Sequence, residues 1–274
     1  MIRLSAFADE ISNDPVEQID VLSQHGIRHI EFRAVHGTNV LDLSDAQHES
    51  FRALLRDRGF GLSALGSPVG KIKITDPFDH HLQRFALALR LAEFYEAPRI
   101  RIFSYYMPPG EDPASHRDEV MRRMAEIARL AAERRVTLLL ENEKGIYGDT
   151  AARVLDIVET VNSPYLSHAF DPSNYVEVGQ SIDEAWDLLR DRVTHFHIKD
   201  YDPLTHKNVP AGQGAGQFPR LIADLAQRGY DGFFTLEPHL ILAELSFGFT
   251  GPERFGDAVN ALKAILDAKG IAYA

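Results

Sequence analysis

Short apolar runs alternate along this chain with longer stretches whose apolar residues return every third or fourth position, the patterns of buried strands and one-sided helices. Residues 2–8 read as a first strand, and Asp14-Pro15 opens a helix in which Val16, Ile19 and Leu22 keep one apolar side until Gly26 closes it. A second strand spans 27–33. Alternate side chains of a strand share a face, which puts His29, Glu31 and Arg33 on one side and Ile30 and Phe32 on the other. Ser44-Asp-Ala-Gln47 has the form of a capping box for a helix that runs through Leu55 and ends at Gly59. A third strand covers 61–66, followed by a loop over 67–71 and a helix over about 78–96. The fourth strand is 99–103. Pro108, Pro109, Gly110 and Pro113 then mark a loop before a helix over 114–134, where Val120, Met124, Ile127 and Leu130 recur at helical spacing. Runs ending at Glu141 and Asp171 are the next strands, with a helix over 151–161 between them. Ser181-Ile-Asp-Glu184 is a second capping box, leading through Leu189 into the run Val193-Thr-His-Phe-His-Ile-Lys-Asp200. A turn-rich segment to Gln217, a helix through Leu225, a strand ending at Glu237, a loop and a last helix over 252–268 complete the order.

The count is eight strand-then-helix units. Strict alternation calls for a parallel sheet, and eight units closing on themselves form an α/β (β/α)₈ barrel, a single domain over 1–274. An open doubly wound sheet expects fewer strands and a glycine-rich first turn, whereas this first turn is Ala8-Asp9-Glu10-Ile11. With 45% hydrophobic and 25% charged residues the chain has the balance of a globular protein. No run reaches the roughly 20 apolar residues needed to cross a bilayer, and the opening lacks a secretion signal, so no membrane partner and a cytoplasmic location are the expectation. A net charge of -11 argues against a broad nucleic-acid-binding face, and the absence of Cys excludes thiolate ligands and cysteine nucleophiles.

The chemistry gathers around the run 193–200. His195, His197 and Lys199 share one face of a buried strand, and burying such groups requires that they pair internally or serve a metal or a substrate. Partners stand at the carboxyl ends of neighbouring strands: Glu141, Asp171 and Glu237. The separations from Glu141 to Asp171, Asp171 to His197 and His197 to Glu237 are 30, 26 and 40 residues, each about one strand-plus-helix unit. The four therefore fall on successive strands, whose carboxyl ends open on one face of a barrel. A lone acid at a strand end is most often a helix cap or a salt-bridge partner. Four at consecutive unit spacing instead point to one hard, oxygen-rich cation site that favours Mn²⁺, Mg²⁺ or Co²⁺ over a structural zinc.

The segments Leu140-Glu141-Asn142, Phe170-Asp171-Pro-Ser-Asn174, His195-Phe-His197-Ile-Lys199-Asp200 and Phe234-Thr-Leu-Glu237 resemble those of the sugar phosphate isomerase/epimerase family, the xylose isomerase-like TIM barrels. The resemblance covers nearly the whole chain, including Gly26-Ile-Arg-His-Ile-Glu31 and Gly212-Gln-Gly214. It implies one divalent cation, Mn²⁺ first and Mg²⁺, Co²⁺ or Zn²⁺ behind it, held by Glu141, Asp171, His197 and Glu237. It further implies Glu141 and Glu237 as the catalytic carboxylates that move protons through a metal-stabilised enediolate of a small-molecule carbohydrate. Glu31, Asn174, Lys199 and His239 complete the expected site as substrate-binding residues, although Glu31 with Arg33, Lys199 with Asp200 or Glu237, and His239 as a loop cap each have a purely structural alternative. Asn174 stands where ketose epimerases of this resemblance place a His, Tyr147 where they carry a further Glu, and Pro203 where they carry an Arg. These departures leave room for a dehydratase or lyase using the same intermediate. An abasic-site endonuclease and a non-catalytic sugar-binding barrel are weaker readings, and a homo-oligomer is left open. The run Gly212, Gly214, Gly216 follows the seventh strand, where barrels often bind phosphate, but a glycine run alone reads more simply as a mobile loop.

Overall fold

The computed structural model describes residues 1–241 and 248–274; the loop expected between Glu237 and Pro252 lies partly, at 242–247, outside the described residues. Eight strands follow one another in the expected order: β1 (Arg3–Ala6), β2 (His29–Phe32), β3 (Gly61–Leu65), β4 (Arg99–Ile102), β5 (Thr137–Glu141), β6 (Leu166–Phe170), β7 (Val193–Ile198) and β8 (Phe233–Leu236). All pair in parallel, and β8 returns to β1, so the sheet is a closed barrel. The helices that carry the chain back are α1 (Pro15–Gln24), α2 (Asp45–Arg58), α3 (Phe78–Phe94), α4 (Arg117–Glu133), α5 (Ala151–Val161), α6 (Pro172–Glu177), α7 (Ile182–Leu189), α8 (Phe218–Gln227) and α9 (Pro252–Ala268).

Local chemistry explains the helix ends. Ser44 and Gln47 form the complete capping box expected before α2, and Gly59 ends that helix at φ 68°, where a side chain would be strained. At α7 only the serine half forms: Ser181 Oγ accepts from the Glu184 amide, while the Glu184 carboxylate accepts from Gln180. Three features differ from the sequence expectation. The first strand stops at Ala6, because Ala8–Glu10 winds into a 3₁₀ turn that places Asp9 and Glu10 at the barrel mouth. A short α6 follows β6 directly, capped by Asp171. The turn-rich segment after β7 contains a hairpin, Asp200–Asp202 against Lys207–Val209.

Period two divides each strand between two environments. Ile100 and Ile102 of β4, Leu138 and Leu140 of β5, Phe170 of β6, and Phe196 and Phe234 belong to the main core, the layer between barrel and helices. There Phe170 stacks on Phe196 at 5.7 Å, and Trp186 from α7 and Phe218 from α8 meet those rings edge-on. Ala64, Leu139 and Ala169 form a separate small cluster inside the barrel. The rest of the lumen is polar: Ser5 and Ser63 share a hydrogen bond of 2.6 Å, and Glu31, Arg101, His195 and Thr235 are all buried there.

The loop after β3 shows how a neutral histidine supports the rim. Gly70 has φ 93°, and a Cβ there would lie 2.0 Å from the Phe103 carbonyl oxygen. Its amide donates to His81 Nε2 from α3 at 3.0 Å. Burial first, and Arg123 second, push the His81 ring down to about 4. The unfolded chain, with histidine near 6.5, therefore takes up this proton before the folded protein does. Stability tied to His81 is present above pH 6.5 and is lost as pH falls from about 6.5 to about 4. We expect His81 to account for about 2 kcal/mol of destabilisation between pH 7 and pH 5; urea unfolding at the two pH values should show a loss that shrinks by that amount in His81→Gln.

Candidate functional site

At the carboxyl mouth of the barrel lies a cavity of about 720 Å³, with Glu141, Glu237, Lys199, Asn174, Arg101 and His239 among its walls. Glu141 and Glu237 of its wall, with Asp171 and His197 buried beneath, each offer one ligand-type atom, and these atoms lie within 4.8 Å of one another. The four come from β5, β6, β7 and the end of β8, neighbours around the ring. His197 Nδ1 is 3.1 Å from Glu141 Oε1, 3.6 Å from Glu237 Oε2 and 3.8 Å from Asp171 Oδ2.

Each ligand-type residue is fixed by the element that carries it. Asn142 follows Glu141 and exchanges two hydrogen bonds with the Asp171 backbone, at 2.9 and 3.0 Å, which ties the end of β5 to the end of β6. Asp171 caps α6 through Oδ1, which accepts from the Asn174 amide at 3.0 Å. Its other oxygen faces Lys199 Nζ at 2.9 Å, so the helix-cap role and a place in the cluster coexist, one oxygen each. Phe196, anchored in the outer aromatic layer, forces its neighbours His195 and His197 inward.

Cations surround these acids. Arg33 Nη1 donates to Glu237 Oε1 at 2.8 Å and Arg33 Nε to Asp9 at 2.7 Å. Arg101 Nη1 lies 3.2 Å from Glu141 Oε2. Burial alone would raise the Glu237 carboxyl, but Lys199, with His239, Arg33 and His197 behind it, holds it well below the usual range. Glu141 is held low against its burial by His197 and Arg101. Desolvation works against the charged form of Lys199, yet Asp171 and Glu237 outweigh it and raise the lysine, which keeps its proton at any working pH.

The expected substrate-binding set is split by the structure. Lys199, Asn174 and His239 line the cavity. Asn174 Nδ2 donates to the Asn142 carbonyl at 2.8 Å, and His239 is clamped by Glu10, which accepts from both its amide and its ring. Glu31 lies below the cavity, fully buried, with Oε2 2.8 Å from His195 Nε2 and 3.2 Å from His197 Nε2. His29 sits at the opposite mouth, edge-on to Phe233. Sequence reasoning did not single out Arg101, Asp9, Glu10 or the Asn142 clamp. The signal for Arg101 was present, since Arg99, Arg101 and Phe103 alternate with Ile100 and Ile102. Tyr147 donates to Asp156 at 2.9 Å, and Pro203 is exposed beyond the rim, so neither supplies the acid or cation that ketose epimerases place there.

The glycine run after β7 is neither a loose loop nor an open anion site. The amides of Gly212, Gly214 and Gly216 all donate to the Asp200 carboxylate at 2.8–2.9 Å, joined by the Tyr201 amide at 2.9 Å. A Cβ at Gly214 would stand 2.5 Å from Asp200 Oδ1 and from the Tyr201 carbonyl oxygen. Asp200 thus anchors the hairpin whose Tyr201 and Asn208 line the cavity.

The comparisons identify the class of this closed parallel (β/α)₈ barrel with its carboxylate–histidine cluster at the carboxyl mouth. The model of the family described as Xylose isomerase-like TIM barrel matches residues 19–265, and the chain belongs to that family. It is similar to a 3-dehydroshikimate dehydratase of Bacillus anthracis, 21% identical over 186 residues, which are 68% of this chain and 66% of that protein. It is also similar to an L-ribulose-5-phosphate 3-epimerase of Shigella boydii, 25% identical over 133 residues, 48% of this chain and 46% of that one. The chain thus spans about half to two thirds of the length of these relatives. Among solved structures, a xylose isomerase-like TIM barrel protein from Mycobacterium smegmatis in complex with magnesium superposes with a TM-score of 0.69 at 19% identity, over 97% of both chains, a likeness of fold. No helix among the described residues is long and apolar enough to cross a membrane.

Removing the Asp200 carboxylate strands several amides at once, each costing about 1–3 kcal/mol where it stays buried. Asp200→Ala is expected to lower unfolding free energy by about 3 kcal/mol or more, measured by urea denaturation, and Gly214→Ala to shift it in the same direction.

Proposed function

We propose that this protein is a divalent-metal-dependent isomerase or epimerase of a small sugar or keto-sugar, acting by proton transfer beside a carbonyl. The observation that carries this reading is a set of buried oxygens left without an aligned partner. Glu141 Oε2, Asp171 Oδ2 and Glu237 Oε2 accept no hydrogen bond from any described residue, although their three carboxylates stand around His197 Nδ1. Arg101 approaches the first, and Lys199 the other two, as charges off the hydrogen-bonding direction. Stranding three carboxylate oxygens in a barrel interior is costly unless something cationic takes them.

The charge count points the same way. Asp9, Glu10, Glu31, Glu141, Asp171 and Glu237 are buried against three permanent cations, Arg33, Arg101 and Lys199. That leaves three negative charges without a permanent cation. Against its burial, Glu141 and Glu31 raise His197, so its proton offsets one, and a dication held by Glu141, Asp171, His197 and Glu237 in place of that proton reduces the excess to one. Three carboxylates and one imidazole form a hard donor set that suits Mn²⁺ best, with Mg²⁺, Co²⁺ and Zn²⁺ behind it. The magnesium in the Mycobacterium smegmatis relative of this fold supports a divalent ion. When bound, such a cation supplies Lewis-acid stabilisation of the negative charge that develops on a substrate carbonyl oxygen.

The remaining work falls to the chain. Glu141 and Glu237 reach the cavity from β5 and from the end of β8, three steps apart around the ring, so a substrate carbon between them meets a carboxylate on each side. Arg33 donates to Glu237 Oε1 and fixes the orientation of that carboxylate in the cavity wall. A proton removed by one carboxylate and returned from the other face inverts a carbon; returned to the adjacent carbon, it interconverts aldose and ketose. Lys199, permanently charged and on the cavity wall, donates a hydrogen bond to a substrate oxygen.

A second reading, elimination of water after the same proton removal, is favoured by two observations. The dehydratase relative matches a longer stretch than the epimerase does, and Asn174, Tyr147 and Pro203 replace the three groups that ketose epimerases carry. Product analysis separates the two: an epimer or isomer keeps every atom, whereas elimination loses water.

Purified protein should carry one Mn²⁺ or a related divalent ion per chain by elemental analysis. In deuterated water a panel of ketoses and keto-sugars should contain one that gains deuterium. Glu141→Gln and Glu237→Gln should each slow that exchange by about 10²–10⁴-fold while leaving the circular dichroism unchanged. Undiminished exchange in both variants would overturn the proton-transfer roles.

A further inference from the structure

We propose that Glu31 is a positioning residue. It takes the Nε2–H of His197, so that Nδ1 is the nitrogen offered to the carboxylate cluster, and His195 with Thr235 holds Glu31 in place. The inference rests on the metal reading above and specifies which atoms of the lumen prepare the centre.

Geometry carries it. A histidine has two ring nitrogens, and the bond made by one decides what the other presents. His197 Nε2 lies 3.2 Å from Glu31 Oε2, while Nδ1 faces Glu141, Glu237 and Asp171. The same Oε2 stands 2.8 Å from His195 Nε2, which is in turn 2.8 Å from Thr235 Oγ1. Glu31, His195, His197 and Thr235 are all fully buried, and neither Glu31 nor His195 lines the cavity, so no substrate atom reaches this layer. The carboxylate–histidine pair beneath the cluster therefore orients the ring and raises its basicity, which is how outer partners of a metal-bound imidazole act.

The barrel is built to let Glu31 cross. It comes from β2, three strands from β7 around the ring, so its side chain spans the lumen instead of meeting a neighbour. The lumen nearby is lined by Ser5, Ser63 and Ala64, residues small enough to leave it a path. A register shift between Ile30 and Glu31 advances the pairing of β2 on β3, from Leu62 to Ala64, at the position where Glu31 turns inward. Its second oxygen, Oε1, has the Arg101 guanidinium 3.8 Å away to offset its charge.

The same three side chains, Glu31, His195 and His197, also fall within the distance limits of a cation site of their own. The observed spacings are those of hydrogen bonds between the nitrogens and one oxygen, and His197 cannot serve this group through Nε2 while that nitrogen carries the proton given to Glu31. Tautomer and stoichiometry therefore decide between the two.

The full-length protein, stripped with a chelator and titrated with Mn²⁺ in a calorimeter, should bind one ion. Glu31→Gln and His195→Gln should weaken that binding about 10–100-fold. Long-range ¹H–¹⁵N spectra of the Mg²⁺-loaded wild type, which need no variant to fold, should show the His197 ring protonated at Nε2 and bare at Nδ1. Wild-type binding with Glu31→Gln within twofold of it, a His197 proton on Nδ1 in the loaded protein, or a second ion that disappears in His195→Gln would each overturn the positioning role alone. Failure of the wild type to bind either ion overturns the metal reading and this inference with it.

Discussion

The barrel interior must hold more carboxylates than it has permanent cations, and that excess of buried negative charge shapes the rest of the molecule. Ionised acids removed from water cost several kcal/mol each unless compensated. The chain compensates with long side chains sent inward from strand ends: Arg33 from the end of β2, Arg101 from β4 and Lys199 from the end of β7. Each bridges to an acid from a different strand, so the charges also lock the relative heights of the strands. Such a network destabilises the protein if one member is removed, because the others remain buried. The arrangement is better understood as holding geometry than as a source of stability.

The interior is polar only because the outer face of every strand is not. Phe170, Phe196 and Phe234 bury their rings against one another and against Trp186 and Phe218, and this aromatic layer supplies the driving force that fixes β6, β7 and β8. With Phe196 committed outward, His195 and His197 have nowhere to go but the lumen. Sequence periodicity, packing and chemistry are thus one fact on β7. Asp171 shows the same economy at a strand end, where one carboxylate oxygen caps α6 and the other faces Lys199 and the cluster.

This explains what was legible in the amino-acid order and what was not. The eight units could be counted because strand and helix periods differ. The convergence of Glu141, Asp171, His197 and Glu237 could be anticipated because strand ends spaced one unit apart share a rim. Arg101 escaped notice because alternating Arg and Ile reads equally well as a strand with one solvated face; only closure of the sheet turns that face inward. Glu31 was placed on the correct face but at the wrong depth, since its partners lie across the lumen and across more than 160 residues of chain, beyond any local pattern. Asp9 and Glu10 were masked by their place in a turn. The glycine run resembled a phosphate loop because its amides do converge on an anion, but that anion is the chain's own Asp200.

The division between strand-borne and loop-borne groups also bears on the outcome of the proposed chemistry. Glu141, Asp171, His197 and Glu237 are held by β5, β6, β7 and β8, with Asn142 and Glu31 bracing them, so their geometry is a property of the barrel. What surrounds a substrate above them comes from elsewhere: Lys71 and Glu143, paired at 3.0 Å, from the loops after β3 and β5, and Tyr201 and Asn208 from the hairpin after β7. A proton removed beside a carbonyl leaves the same intermediate whether it is returned or a hydroxyl departs, and the outcome turns on which donor stands next to the leaving oxygen. In this chain Asn174 Nδ2 donates to the Asn142 carbonyl and, at 3.5 Å, to Glu141 Oε1, and Tyr147 turns to Asp156, while Arg33, Arg101, Lys199 and His239 are the cationic or ring donors beside the cluster on the cavity wall. Under the proposed chemistry, the choice between returning the proton and expelling water rests with these donors and the loops above them, and not with the centre itself.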